Sequence, residues 1–299
     1  MIALVESSVD ALAGVWQGSH DMWTSLWMRV SSSASDFNLW VWGTLISHLL
    51  VFWLLNAFYL TVDLTQKPKW MLKFKIQDGQ NQPVDKARLY SAIKRALFNQ
   101  LFMMPVFSAA SFGLAQARGI EFGTPLPSFQ TIIFHLACYG VVEEIMFYYS
   151  HRLLHWGVLY KRIHKLHHEW TAPIGITAIY AHPIEHLLSN LIPVAAGPLI
   201  MGSHLVVFWI WYSLAIFVTC TVHSGYHLPF MPSSEFHDFH HLKFTNNFGV
   251  LGFLDWLHGT DKTFRASVQF QRHFTSMSPR SLKEIVPDVK AKAADAKSN

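Results

Sequence analysis

The sequence predicts an all-α integral membrane protein: about four transmembrane helices carry a cytosolic helical cap that holds two metals through clustered histidines. Three observations predict it. Hydrophobic residues make up 51% of the 299 positions and charged residues 14%, against roughly 25% charged in ordinary globular domains. Charge-free runs long enough to cross a bilayer recur along the chain. Histidine is abundant, with 18 copies, and thirteen of them fall between positions 151 and 241.

Residues 1–38 form an N-terminal arm. Its one cation is Arg29 and Glu6 stands near the start, so the basic n-region of a secretory signal is missing. Val15, Met22, Leu26 and Val30, with Trp16, Trp23 and Trp27 alongside, have the spacing of an amphipathic helix lying in the membrane interface. A loosely ordered arm fits as well. Residues 39–127 carry the first two spans and a basic loop. Leu39 to Val62 has no charge over 24 residues; at about 1.5 Å per residue this reaches roughly 36 Å, enough for a hydrocarbon core of about 30 Å. The run from Ala96 to Ala117 contains Pro105 and Gly113, both tolerated in membrane helices.

Residues 128–265 are expected to form the catalytic unit. A third span runs from about Ser128 to Tyr149, and its Glu143 and Glu144 should face protein or sit near the helix end. Leu187 to Val222 holds 36 charge-free residues, long enough for two spans, and its Gly197-Pro198 and Gly202-Ser203 pairs suggest a hairpin or re-entrant turn between them. Residues 266–299 are a polar tail, with 290–299 disordered in expectation. The loop after the first span carries Lys67, Lys69, Lys73, Lys75, Lys86, Arg88, Lys94 and Arg95, whereas the loop before the third has only Arg118. By the positive-inside rule the basic loop is cytosolic, and the segment 150–186 and the tail lie on its side.

The net charge of +4 comes without any basic run interleaved with exposed aromatics, which speaks against a nucleic-acid partner and for a bilayer surface. Cys138 and Cys220 both sit inside apolar runs, which excludes a disulfide framework or a cysteine-based zinc site.

The histidines carry the chemistry. His151 and His155 stand at i and i+4 in HRLLH. His164, His167 and His168 in HKLHH, like His237, His240 and His241 in HDFHH, stand at i, i+3 and i+4. On a helix each box turns its imidazoles to one face. His182 in AHPIEH and the pair His223 and His227 in HSGYH lie where apolar runs end, and complete eleven expected ligands. His186 is an even choice, and His20, His48, His135, His204, His258 and His273 read as ordinary hydrogen-bonded histidines. Eleven imidazoles exceed what one ion takes, so two metals are implied. Imidazole suits iron, zinc, copper and nickel; attack on an unactivated C–H bond needs a redox metal that binds O2, which favours iron. Asp238, Glu169 and Glu185 are candidates to orient the rings, as are Glu143 and Glu144. No catalytic residue beyond the metal centre is expected, and no substrate contact is legible.

HRLLH, HKLHH and HDFHH, with AHPIEH, HSGYH and FLDWLHGTD between Phe253 and Asp261, resemble the fatty acid hydroxylase superfamily over roughly residues 130 to 265. Within it the C4-methylsterol oxidase branch is nearest, although His227 stands where that branch typically carries Asp. The resemblance implies an endoplasmic reticulum membrane enzyme with two non-haem irons at cytosolic histidine boxes. It would use O2 and electrons from NAD(P)H delivered through cytochrome b5 and its reductase, to hydroxylate a membrane lipid or sterol. The 299 residues contain no haem-ligating segment or Gly-rich dinucleotide loop, so the electrons are expected from separate partners. Hydroxylation or desaturation of a fatty acid or sphingolipid, a metal transporter, and a catalytically silent scaffold that keeps the fold remain as alternative readings.

Overall fold

A computed structural model describes residues 18–288. Among them all regular structure is helical, apart from one isolated antiparallel bridge between Lys75 and Tyr226. Five helices are long and apolar enough to cross a membrane: Asp36–Thr65, Lys86–Ala117, Phe129–Leu154, Pro183–Met201 and Leu205–His223. This corrects the expected count of about four. The charge-free stretch from Leu187 to Val222 is two helices joined by a tight turn, at the second of the two glycine pairs that the sequence offered. Gly202 makes the turn at φ 60°, where a Cβ would collide with the carbonyl oxygen of Arg118. His204 then caps the fifth helix, its Nδ1 accepting from the Val206 N–H at 3.1 Å.

Two of the long helices widen into a π-helical turn just before a proline. The turn Asn99–Met103 precedes Pro105, and His186–Leu191 precedes Pro193. Proline brings no N–H to the carbonyl four residues back and its ring crowds that carbonyl, so an extra residue in the turn relieves both. The third and fourth helices approach closely because Gly197 has no side chain: a Cβ there would lie 2.9 Å from the Cα of Tyr139. The first and fifth helices run parallel and in step. Trp209 Nε1–H donates to Thr44 Oγ1 at 2.9 Å, the Tyr212 ring stacks on His48 at 5.3 Å, and Asn56 Nδ2 lies 3.5 Å from Cys220 Sγ. The partners are 165, 164 and 164 residues apart, a constant register.

At one end of the bundle the turns near 118–123 and 199–205 meet. The Leu205 N–H donates to Glu121 O at 2.9 Å, and Trp27 Nε1–H donates to Gly123 O at 2.7 Å. Residues 18–32 are helical there, with Met22, Trp23, Leu26 and Val30 exposed. Val15 and Trp16 of the expected interfacial helix, and the tail 290–299, lie outside the described residues. At the other end the basic loop folds back over the chain. The Ile76 N–H donates to Gly225 O at 3.0 Å and the His227 N–H to Phe74 O at 2.9 Å. A buried ion pair joins Lys75 Nζ to Asp63 Oδ1 at 3.0 Å, and the Tyr226 hydroxyl donates to the same oxygen at 2.9 Å. The basic loop and the histidine boxes therefore share one end of the bundle, as the charge pattern requires.

Candidate metal centre

Four chain segments bring the converging histidines to this end. The third long helix carries His151 in its last turn and His155 as its C-cap. His164–Glu169 is a 3-10 turn, not the α-helix that its spacing suggested, and His223 closes the fifth long helix. The helix Glu235–Lys243 carries HDFHH. Nine imidazoles converge in two sets. His151, His155, His164, His168 and His240 form one, and His167, His223, His237 and His241 the other; within each set the candidate ligand atoms lie within 4.8 Å of one another. Residues four apart in a box share a set, and the residue at the i+3 position of HKLHH or HDFHH goes to the opposite one.

The hydrogen bonds of the outer nitrogens decide what the inner ones are. Nδ1 of His151 donates to Phe248 O at 2.7 Å and that of His240 to Asn246 O at 2.6 Å, while that of His164 lies 2.9 Å from Glu185 Oε1. In the second set Nδ1 of His167, His223 and His241 donates to Tyr180 O, Thr219 O and Trp170 O. A carbonyl only accepts, so in these rings Nδ1 holds the proton and Nε2 presents a lone pair inward. Burial drives the imidazoles down, His155 to about 2 and His167 to about 4, and His164, His168, His237, His240 and His241 also lie well below their ordinary value. The rings are therefore neutral. Nε2 of His151 lies 3.1 Å from Nε2 of His164, and that of His167 3.4 Å from that of His223. The second pair sets lone pair against lone pair with no proton between, and His155 Nε2 is buried with no hydrogen bond among the described residues. Such an array is repulsive alone and stabilised by a cation between the rings; the residues present fit a metal in each set.

The sequence pattern of the fatty acid hydroxylase family matches residues 136–260, which span all nine histidines. The chain is 44% identical over 289 residues to human fatty acid hydroxylase domain-containing protein 2, covering 96% of this chain and 87% of that protein. The chain belongs to the fatty acid hydroxylase family. It is also 32% identical to methylsterol monooxygenase 2-2 of Arabidopsis thaliana over 80% of its own length and 92% of the relative's. Against very-long-chain aldehyde decarbonylase GL1-11 of Oryza sativa subsp. japonica the figures are 34%, 81% and 92%. No solved structure matches it.

Two of the eleven expected ligands stand outside both sets of this family member, and both are corrected. His182 is the N-cap of the fourth long helix: its Nδ1 accepts from the Ile184 N–H at 3.2 Å. His227 follows the turn at Gly225, φ 73°, so it no longer shares a helix face with His223. Its Nε2 donates to Phe274 O at 3.1 Å. His186 is also outside, paired with Asn190 at 3.2 Å.

Among the carboxylates only Glu185 touches a ring. Glu169 is exposed and accepts from the Tyr180 hydroxyl at 2.9 Å, while buried Asp238 accepts from Gln77 Nε2 at 3.1 and 3.2 Å and so ties the basic loop down. Burial beside Glu235 pushes the Asp238 carboxyl up to about 7. Neither orients an imidazole, which corrects two of the three expected partners. Glu144 acts on backbone: its carboxylate accepts from the N–H groups of Val250 at 2.8 Å, Leu251 at 2.7 Å and Leu254 at 3.1 Å. Asp255 accepts from the N–H groups of Phe248 and Gly249 at 2.8 and 2.7 Å. Together they fix the loop whose Phe248 carbonyl holds His151. Replacing Glu185 by Leu is expected to weaken metal retention in the five-histidine set by roughly 10–100-fold, with Gln, which keeps a polar group beside His164, costing less. Competition with a chelator measures it; equal retention by the Leu variant would refute the orienting role.

A cavity opens beside both sets. His151, His164, His167, His223 and His237 line one part of it with Glu143 and Glu185, and apolar side chains of the fourth and fifth long helices, Leu191, Val194, Ala215 and Ile216 among them, wall much of the rest as far as His48.

Proposed function

We propose that this protein is a membrane lipid oxygenase whose two histidine sets hold two irons, and that its substrate is a 4-methylsterol oxidised at the 4-methyl carbon. The observation that carries the reading is the convergence of two neutral, inward-pointing histidine sets on one apolar cavity between membrane-crossing helices. Bound iron would supply O2 activation, which histidine alone does not. The chain's own part is to hold the Nε2 lone pairs in place through backbone carbonyls, keep the rings neutral by burial, and bring a lipid carbon to them along a largely apolar wall. The relative named methylsterol monooxygenase supports the sterol, and the comparable identity to relatives named aldehyde decarbonylases favours a long-chain lipid as the second reading. We place the protein in the endoplasmic reticulum membrane with its histidines facing the cytosol, on the cations of the basic loop at that end. Electrons would come from NAD(P)H through cytochrome b5 and its reductase.

Lipid profiling of cells lacking the protein tests this, with rescue by wild type or by a His237/His240/His241 triple alanine variant. Accumulated 4-methylsterols cleared only by the wild type are expected. Full rescue by the triple variant would overturn the metal reading. Unchanged sterols beside another lipid class short of hydroxyl groups would move the substrate to the second reading.

A further inference from the structure

His48 lies in the first long helix, 2% exposed, and takes no part in the metal centre. Its tautomer is fixed by its neighbours. Trp53 Nε1–H donates to Gln100 Oε1 at 3.1 Å; an indole nitrogen only donates, so the Gln100 amide turns its Nε2 to His48. Gln100 Nε2 lies 3.0 Å from His48 Nε2, which must therefore accept, and the ring proton sits on Nδ1. Gln100 is turned inward by the π-helical turn Asn99–Met103. The ring stacks on Phe52 and Tyr212. That leaves the edge bearing Nδ1, which is buried and has no hydrogen-bond partner among the described residues. An unpaired donor this deep between membrane-crossing helices is costly unless a ligand completes it.

His48 lines the same cavity as the metal histidines. Its depth follows from the register of the two parallel helices. His48 is level with Tyr212, which precedes His223 by 11 residues on one helix, or roughly 16 Å at about 1.5 Å per residue. We infer that His48 is a polar anchor for the far end of the lipid, donating from Nδ1 to an oxygen that the substrate carries about 16 Å from the carbon held at the metal histidines. The inference rests on the lipid-oxygenase reading and narrows its substrate class. A lipid with one polar end and an otherwise apolar body would leave the donor unpaired; one oxygenated at both ends of this span fills the cavity. A sterol with its ring end at the histidines meets His48 with the end of its side chain, and an acyl lipid with its head oxygen.

The test is equilibrium binding to the full-length, metal-loaded protein in lipid nanodiscs, with two probe pairs: 4α-methylcholestan-3β-ol with and without a 25-hydroxyl, and hexadecan-1-ol against hexadecane. The far oxygen is expected to tighten binding to wild type by roughly 10-fold in at least one pair. His48→Gln places an amide where Nε2 was, keeping the Gln100 contact and removing the Nδ1 donor; it should bind both members of that pair equally, with unchanged iron content. His48→Asn places its amide nitrogen where Nδ1 was, loses the Gln100 contact and should keep the preference. A purely structural His48 would give the reverse order. No oxygen preference in either pair, a preference surviving in His48→Gln, or one lost in His48→Asn would each overturn the anchor. If only the hexadecanol pair shows the pattern, the anchor stands and the sterol reading falls.

Discussion

Replacing His237 and His241 together by alanine is expected to abolish turnover while the five-histidine set keeps its metal. The double change leaves the other set with His167 and His223 alone, too few nitrogens to hold an ion whose sites ordinarily use three or four protein ligands. In the five-histidine set His151 and His240 are held by Phe248 O and Asn246 O and His164 lies against Glu185, and the change touches none of these. Metal analysis of the purified variant should find half the wild-type content, and oxidation of any lipid should fall to background. Wild-type metal content, or turnover above a tenth of wild type, would refute the division into two sets.

Glu144→Ala is the second change of large effect, and it acts without touching a histidine. Glu144 is 3% exposed and satisfies three backbone N–H groups of the loop 250–254. The loop comes this close because Gly249 has no side chain: a Cβ there would lie 2.8 Å from Glu144 Oε1. Unpaired buried donors cost about 1–3 kcal/mol each, so the variant should lose several kcal/mol of stability in that region. It should also release the Phe248 carbonyl from His151 and weaken metal binding in the five-histidine set. Hydrogen exchange over residues 248–255 reads the first effect and metal retention the second; protection unchanged from wild type would show that the carboxylate is not what holds the loop.

The spacing of the boxes was enough to single out eight of the nine histidines that meet, because residues three and four apart lie on one side of a helical turn, and HSGYH at the end of an apolar run pointed to the ninth, His223. It was not enough to divide them. HKLHH folds as a 3-10 turn, and whether His167 faces His223 or His164 depends on where the fifth helix ends, which no local pattern encodes. His227 was misplaced for a related reason. The pair HSGYH reads as helical until the Ser-Gly step is recognised as the helix stop, a signal that was present. The rings are oriented mostly by main-chain carbonyls of Trp170, Tyr180, Thr219, Asn246 and Phe248, and a carbonyl has no letter in the sequence. Glu144 was singled out beside the boxes, but a charge in a span does not say which distant backbone it will satisfy. The membrane helices were legible from the absence of charge. The turn between the fourth and fifth helices was legible as the Gly202-Ser203 pair within a charge-free run of 36 residues.

The division of the boxes between the two sets also orders events during synthesis. His151, His155, His164 and His168 are made before any residue of the closing helix, and they already supply four of the five nitrogens of one set. The other set has only His167 at that stage. Its three remaining members, His223, His237 and His241, follow; His240 trails His168 by 72 residues, roughly 4–14 s at common elongation rates. A nascent chain thus presents one nearly complete nest of imidazoles while its neighbour is still a single histidine.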